Sequence, residues 1–222
     1  MNIEWYGQSA FRLTAPEATV FVDPFGDMSG LAARVMRFDY PPIEDVAADL
    51  LLVTHEHGDH NNVAAIAGDP PVLRSTAGRL SSPIGDVVAV ASEHDDAAGT
   101  KRGPNTIFVF DLGGLRVAHF GDFGQAALRE EQAAAIGTVD LAFVPVGGGP
   151  TIGGEQAAMI ARRIRARWVV PMHYRTHRID FLEPADGFLG DVSDAHRPGA
   201  SAFDTDALPA GDGPLAVVPE AP

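Results

Sequence analysis

Apolar positions in the first quarter of the chain fall in short alternating or continuous runs, with no stripe at helical spacing. Ile3-Glu4-Trp5-Tyr6, Ala10-Phe11-Arg12-Leu13 and Thr19-Val20-Phe21-Val22-Asp23 predict three strands separated by Gly/Ser and Ala-Pro-Glu turns. Asp49-Leu50-Leu51-Leu52-Val53 is a continuous apolar run of the length and branching expected of a buried strand. Residues 26–42, broken by Gly26, Gly30 and Tyr40-Pro41-Pro42, carry no clear period and predict a connection. Further on, residues 61–67 predict a short helix, and residues 71–74 and 87–92 two strands. Residues 105–110 and 115–120 flank Asp111-Leu112-Gly113-Gly114, a strong hairpin signal. Residues 125–136 and 155–164 predict helices, and 140–144 and 167–170 strands, so that strand-helix-strand crossovers give the sheet a parallel part. From Glu183 onward Pro, Ala, Gly and Asp dominate. Residues 191–213 predict loop with His196 exposed in it, and residues 214–219 a last edge strand with its prolines at the two ends. A length of 222 residues suits one domain, with a core over about 1–182 and a Pro/Ala/Gly-rich extension over 183–222.

Several of these strands end on residues that carry chemistry. Thr54-His55-Glu56-His57-Gly58-Asp59-His60 follows the buried run directly and packs three imidazoles and two carboxylates into six positions. His55 and His57, two apart, point to one side of an extended chain, and a turn at Gly58 can bring Asp59 and His60 back beside them. Neutral imidazole nitrogen and carboxylate oxygen suit zinc, manganese or iron. His94 again stands where a strand terminates.

Composition narrows the partners. Cysteine is absent, which excludes disulfides and thiolate ligation. A net charge of −14, from 30 acidic against 16 basic side chains, opposes a nucleic-acid partner. Arg162, Arg163, Arg165 and Arg167 form the one basic cluster and fall at the end of a predicted helix, where cations complement the dipole. Neither a basic start with an apolar core nor a run approaching membrane length is present, so a cytoplasmic protein without a membrane partner is expected. The oligomeric state is not legible.

Thr-His-Glu-His-Gly-Asp-His resembles the His-x-His-x-Asp-His signature of the metallo-β-lactamase superfamily. Later elements match in order: Ser92-Glu93-His94, His119-Phe120-Gly121-Asp122, Val144-Pro145-Val146-Gly147-Gly148-Gly149 and Val170-Pro171-Met172-His173-Tyr174. The resemblance covers most of residues 1–180. It is strongest to the branch of zinc-dependent hydrolases that includes ascorbate-6-phosphate lactonase-like and N-acyl-phosphatidylethanolamine phospholipase D-like proteins. The fold it implies is α/β, a four-layer αββα sandwich with mixed sheets and metals at one sheet edge. By the same resemblance His55, His57 and His94 hold one divalent metal, Asp59, His60 and His173 a second, and Asp122 bridges them. A water activated to hydroxide between two ions, most naturally zinc with manganese or iron as alternatives, would attack an ester, lactone, amide or phosphodiester of a small-molecule substrate. Asp59 and Asp122 are the carboxylates assigned catalytic roles, Asp59 or the second metal stabilising the leaving group.

Some assignments compete. His94 and His119 both offer a third ligand for the first metal; His94 is taken because it ends its own strand before Asp95-Asp96, as the family's third histidine does, leaving His119 behind the ligands or in the pocket. Asp23, in an Asp-Pro that ends a strand as the family's does, orients a metal-bound histidine or serves as a turn carboxylate. Arg175 and His177 line the substrate pocket or a solvated loop. In this superfamily the connection over 26–42 often overhangs the site, so Met28, Leu31, Met36 and Phe38 line the pocket or simply pack. Gly147-Gly148-Gly149 lets backbone approach the cleft closely or makes a strand-to-helix turn. The reactions implied remain a hydrolysis, an iron oxidoreduction at a mononuclear or dinuclear site, or metal binding without turnover. His57 stands where diiron relatives carry glutamate, which weighs against the diiron case.

Overall fold

Alternation and turn chemistry build the first sheet. In the computed structural model, which describes residues 1–34, 36–192, 194–211 and 213–222, β1 (Asn2–Gly7), β2 (Ala10–Thr14) and β3 (Thr19–Val22) form an antiparallel meander. The following connection contains a 3-10 turn over Ser29–Arg34 and an antiparallel bridge from Phe38 to Ile179, and Val35 lies outside the described residues. Between β4 (Val46–Ala47) and β6 (Ile66–Ala67), which pair as a two-stranded ribbon, runs β5 (Leu50–Val53), parallel to β3. β7 (Val72–Arg74) then pairs parallel to β5. The helix expected over 61–67 is therefore absent: a 3-10 turn over Val63–Ala65 leads into β6. Seven residues are too few for a self-supporting helix. Here Ile66 gains more by burying itself in pairing with Val46, while Asn62 is tied to the carbonyls of Pro24 and Phe25.

The second sheet opens with a hairpin of β8 (Gly78–Ser82) and β9 (Gly85–Glu93), whose first strand the sequence pattern does not signal. β10 (Pro104–Leu112) and β11 (Leu115–His119) form the expected hairpin. After α1 (Glu130–Ile136), β12 (Leu141–Pro145) lies parallel to β11; after α2 (Gly154–Arg163), β13 (Trp168–Met172) lies parallel to β12. The first helix is shorter than expected because Gln125 and Gln132 pair through their amides at 2.9–3.0 Å and Gln132 accepts from the Arg129 N–H at 2.9 Å, holding residues 125–129 out of the helix.

The segment expected to be loop is partly regular. It contains the end of α3 (Asp186–Asp191), then β14 (Ala195–His196), β15 (Ala202–Asp204) and a 3-10 turn over Thr205–Ala207; Ser193 and Asp212 lie outside the described residues. β15 pairs with β1 in the first sheet. β16 (Leu215–Val217) is no edge strand, since it sits between β13 and β14, and His196, expected to be exposed, is half-buried in that outermost strand. Among the described residues the sheets run β15-β1-β2-β3-β5-β7 and β14-β16-β13-β12-β11-β10-β9-β8.

The sheets pack face to face, with the rings of Phe11 and Phe143 4.5 Å apart, and one apolar core extends from Trp5, Leu50 and Leu52 through Phe108 and Val170 to Ala157 and Ile160 of α2. Alternate residues of β3 and β5, Phe21, Leu51 and Val53, point into a second cluster with Phe25, Tyr40, Ile43 and Ile179. Burial on both faces explains why β5 is apolar at every position. The outer layer on the second sheet is helical, whereas among the described residues that on the first is formed by Phe25, Tyr40, Ile43 and Val46 together with Ile66, Ile179 and Leu182. Among the described residues no helix is long and apolar enough to cross a membrane.

Candidate metal centre

Five strand ends converge. Asp23 follows β3, the stretch Thr54 to His60 follows β5, His94 follows β9, Asp122 follows β11 and His173 follows β13. His55, His57 and His94 form one group of potential ligands, and Asp59, His60, Asp122 and His173 another; in each the donor atoms lie within 4.8 Å of one another. Asp122 joins the groups: Oδ2 is 3.1 Å from His94 Nε2, 3.2 Å from His173 Nε2 and 3.9 Å from His55 Nε2, while Oδ1 is 3.2 Å from His60 Nε2.

Hydrogen bonds behind the rings fix which nitrogen faces inward. Asp23, fully buried, accepts from the Thr54 N–H at 2.8 Å, the Thr54 hydroxyl at 2.7 Å and His60 Nδ1 at 2.9 Å. With its one proton given to Asp23, the Thr54 hydroxyl accepts from His55 Nδ1 at 3.1 Å. His94 Nδ1 donates to the Pro150 carbonyl at 3.0 Å. His55 and His94 thus turn an unprotonated Nε2 toward the centre, and His60 aims its Nε2 at the same point, where a cation would take the place of its proton. His60 Nε2 and Asp122 Oδ1 are buried and misaligned for a hydrogen bond with each other, and neither finds another partner. Such orphaned donors around one point fit a divalent cation.

Electrostatics separate the groups. Burial, together with the neighbouring imidazoles, pushes His55 down to about 2, and burial also lowers His57, so both stay neutral. Burial alone would lower His60, but Asp122, Asp59 and Asp23 outweigh it and hold the ring well above the usual histidine value. Against burial, His173 and His60 pull Asp122 far below the carboxylate range, and His60 pulls Asp59 down. Glu56, the other carboxylate of the stretch, points away: Arg74 and Ser75 hold it and its ion pair with Arg74 lowers it to about 2.

The remaining candidates fall in different places. His119 is buried behind Asp122, donating from Nε2 to the Ser9 carbonyl at 3.0 Å and accepting from the Gly121 N–H at 3.2 Å, and burial lowers it. Gly121 has φ +54, and a Cβ there would strike Thr54 and Asn105 at 2.5 Å. Gly147 brings backbone against His173, whose carbonyl oxygen would overlap any Cβ at that position. Met28 and Phe38 line a cleft of about 380 Å³ with Phe25, Tyr40 and Asn62, and the Met28 sulfur is 3.9 Å from the Cβ position at Gly58. Leu31 and Met36 are partly buried outside that cleft. Arg175 and His177 lie exposed in the turn after His173; Arg175 donates to the Leu182 carbonyl at 2.6 Å, and the His177 carbonyl accepts from Arg37. Two buried residues escaped the sequence pattern: Gln8, which donates to Asp59 Oδ2 at 3.1 Å, and Asn105, which accepts from the Asp122 N–H at 3.0 Å. The one hint was that residues 7–10, a turn between strands, contain no charged side chain.

Residues 2–173 match the family model of the beta-lactamase superfamily domain. The chain belongs to the metallo-β-lactamase superfamily. It is 30% identical over 208 residues to a UPF0173 metal-dependent hydrolase of Methanosphaera stadtmanae, covering 79% of this chain and 85% of the relative. A UPF0173 metal-dependent hydrolase of Thermus thermophilus is 31% identical, with 79% and 84% covered. Among solved structures, a Thermotoga maritima protein assigned to the Zn-dependent hydrolases of the superfamily superposes with a TM-score of 0.76 at 28% identity over 99% of both chains. The chain is thus a metal-dependent hydrolase with the α/β metallo-β-lactamase fold.

Proposed function

We propose that this metal-dependent hydrolase works with two divalent ions, His55, His57 and His94 holding one, Asp59, His60 and His173 the other, and Asp122 serving both. The observation that carries the reading is the convergence of two donor groups on the two oxygens of one buried carboxylate. Of the eight histidines, five belong to these groups, which with two carboxylates suits zinc ahead of manganese or iron. When bound, a pair of such ions acidifies water from a pKa near 16 to about 7 and polarises the oxygen of the bond to be cleaved.

The chain's own groups orient that chemistry. Asp122 supplies negative charge to both positions at once, and Asp23 and the Pro150 carbonyl keep His60 and His94 in the ligating tautomer. Asp59 is more exposed than Asp122 and stays a carboxylate at neutral pH, so we assign to it the alignment of the attacking water as a hydrogen-bond acceptor, with any proton it takes from that water being the one it would pass to the leaving group. The substrate in this reading is a small ester, lactone, amide or phosphodiester whose unreactive part uses the cleft of Phe25, Met28, Phe38 and Tyr40 beside the ligand loop. Nucleic acid fits less well, because three of the four arginines of the basic cluster are engaged: Arg162 with the Asp191 carbonyl, Arg163 with Glu130 and Arg167 over the Trp168 ring. A cytoplasmic setting completes the reading.

Elemental analysis of protein purified without added metal, beside Asp122→Ala and His94→Ala, tests it together with a panel of esters, lactones, amides and phosphodiesters. The expected result is about two metals per wild-type chain, falling in both variants, and hydrolysis that both variants lose. One metal or fewer in the wild type, unchanged by His94→Ala, overturns the assignment.

A further inference from the structure

Gln8 occupies the turn between β1 and β2, where a polar residue ordinarily faces water, yet it is 1% exposed. Its backbone has φ +51, a left-handed conformation uncommon outside glycine. Asp23 and His173 share that conformation at φ +52 each, so three of the eight such non-glycine residues among the described residues meet at this one centre.

Gln8 touches two members of the second ligand group by different atoms. Its side-chain Nε2 donates to Asp59 Oδ2 at 3.1 Å, and its carbonyl accepts from the His173 N–H at 3.4 Å while also accepting from Trp5 Nε1 at 3.1 Å. A carboxylate only accepts, so the amide must turn its NH2 toward Asp59. The next residue extends the strap: the Ser9 carbonyl holds His119, which in turn holds the Gly121 N–H beside Asp122. One two-residue stretch therefore reaches Asp59 and His173 directly, and the Asp122 segment through one ring.

We propose that Gln8 is a positioning residue for the second metal ion, fixing the plane of the Asp59 carboxylate and the backbone that presents His173. The inference rests on the two-ion reading above. The chemistry explains the residue type. A lysine or arginine here would compete with the ion for Asp59, and a carboxylate would repel it, whereas a neutral amide satisfies one oxygen and leaves the charge for the metal.

Zinc titration against a competing chromophoric chelator tests this on the full chain with Gln8→Gly and Gln8→Asn. Glycine adopts φ +51 without strain, and asparagine tolerates it but is one methylene too short to reach Asp59, so both remove the amide contact while sparing the backbone. Weakening of the second zinc by about 10–100-fold, with the first zinc unchanged and the metal-free protein still folded and melting cooperatively, is the expected result. Two zinc ions bound as tightly as in the wild type, or equal losses at both positions, overturn it. If the wild-type chain takes up a single zinc, the two-ion reading fails by itself, and the Gln8 assignment then stands only if Gln8→Gly weakens that ion.

Discussion

His60 is surrounded by charge of one sign. Asp23 accepts from its Nδ1, and Asp59 and Asp122 stand 3.5 and 3.2 Å from its Nε2. Without metal these carboxylates overcome burial and hold the ring protonated well above the usual histidine value, whereas His55 and His57 are already neutral. In the two-ion reading proposed above, loading the position of Asp59, His60 and His173 would displace the proton held on His60. Because the folded value is raised above the unfolded one of about 6.5, the charged ring stabilises the metal-free protein fully below that pH and progressively less as pH rises through the raised value. Chelator-treated protein should accordingly lose thermal stability from about pH 7 upward, zinc uptake should release a proton detectable with an indicator in weak buffer, and His60→Gln should abolish both. A slope that persists in the variant would show that another group is responsible. The residues that converge, His55, His57, Asp59, His60, His94, Asp122 and His173, could be picked out in the sequence because they stand at or just beyond strand ends. Gln8 could not, because a lone amide has no pattern and meets its partner 51 positions away only after the sheet has formed.

At the scale of an element, the loop that follows β9 is organised by one side chain. Asp95 accepts four backbone N–H groups, from Ala97 and Gly99 through Oδ1 and from Lys101 and Arg102 through Oδ2, at 2.7–3.0 Å. Burial would raise its carboxyl, but those four bonds outweigh it and bring the group below its ordinary value. The loop they shape returns Gly103, whose carbonyl accepts from the His94 N–H at 3.1 Å. Asp95→Asn leaves one oxygen for four donors, so it should loosen the first zinc position more than the second. A depressed folded value means stability that is present above about pH 4 and lost as pH falls toward the folded value. The variant should therefore differ from the wild type near neutrality and converge with it in acid, as followed by circular dichroism; a constant gap down to the acid transition would exclude the carboxylate as its source. Strands such as β2, β5, β10 and β11 were legible because a period of two, a continuous apolar run and Gly-Gly turns are local signals, whereas β8, β14 and β15 carry no such pattern. The helix expected over 61–67 did not form, because the burial of Ile66 against Val46 overrode a weak local preference.

Across the whole molecule, the last forty residues are stitched into both sheets, although their composition suggested an extension. Local pattern could not reveal this, since β15 pairs with β1 across nearly the full chain, with Phe203 opposite Ile3, and β16 inserts beside β13, the strand that delivers His173. Proline, alanine and glycine lower the intrinsic preference for order, but the pairing partner and the apolar contacts are supplied by residues far away in sequence. Phe203 is 6% exposed within the main core, so Phe203→Ala should cost about 3–5 kcal/mol in denaturant unfolding, through lost burial and the cavity left behind. The loss should be present in the metal-free and the zinc-loaded protein alike, with zinc stoichiometry unchanged, because Phe203 touches none of the ligands' supporting bonds. A cost below about 1 kcal/mol would mean that the site collapses without a cavity and that β15 merely covers the edge of β1. A change in zinc stoichiometry would instead tie this strand to the metal centre through β1 and the turn that carries Gln8.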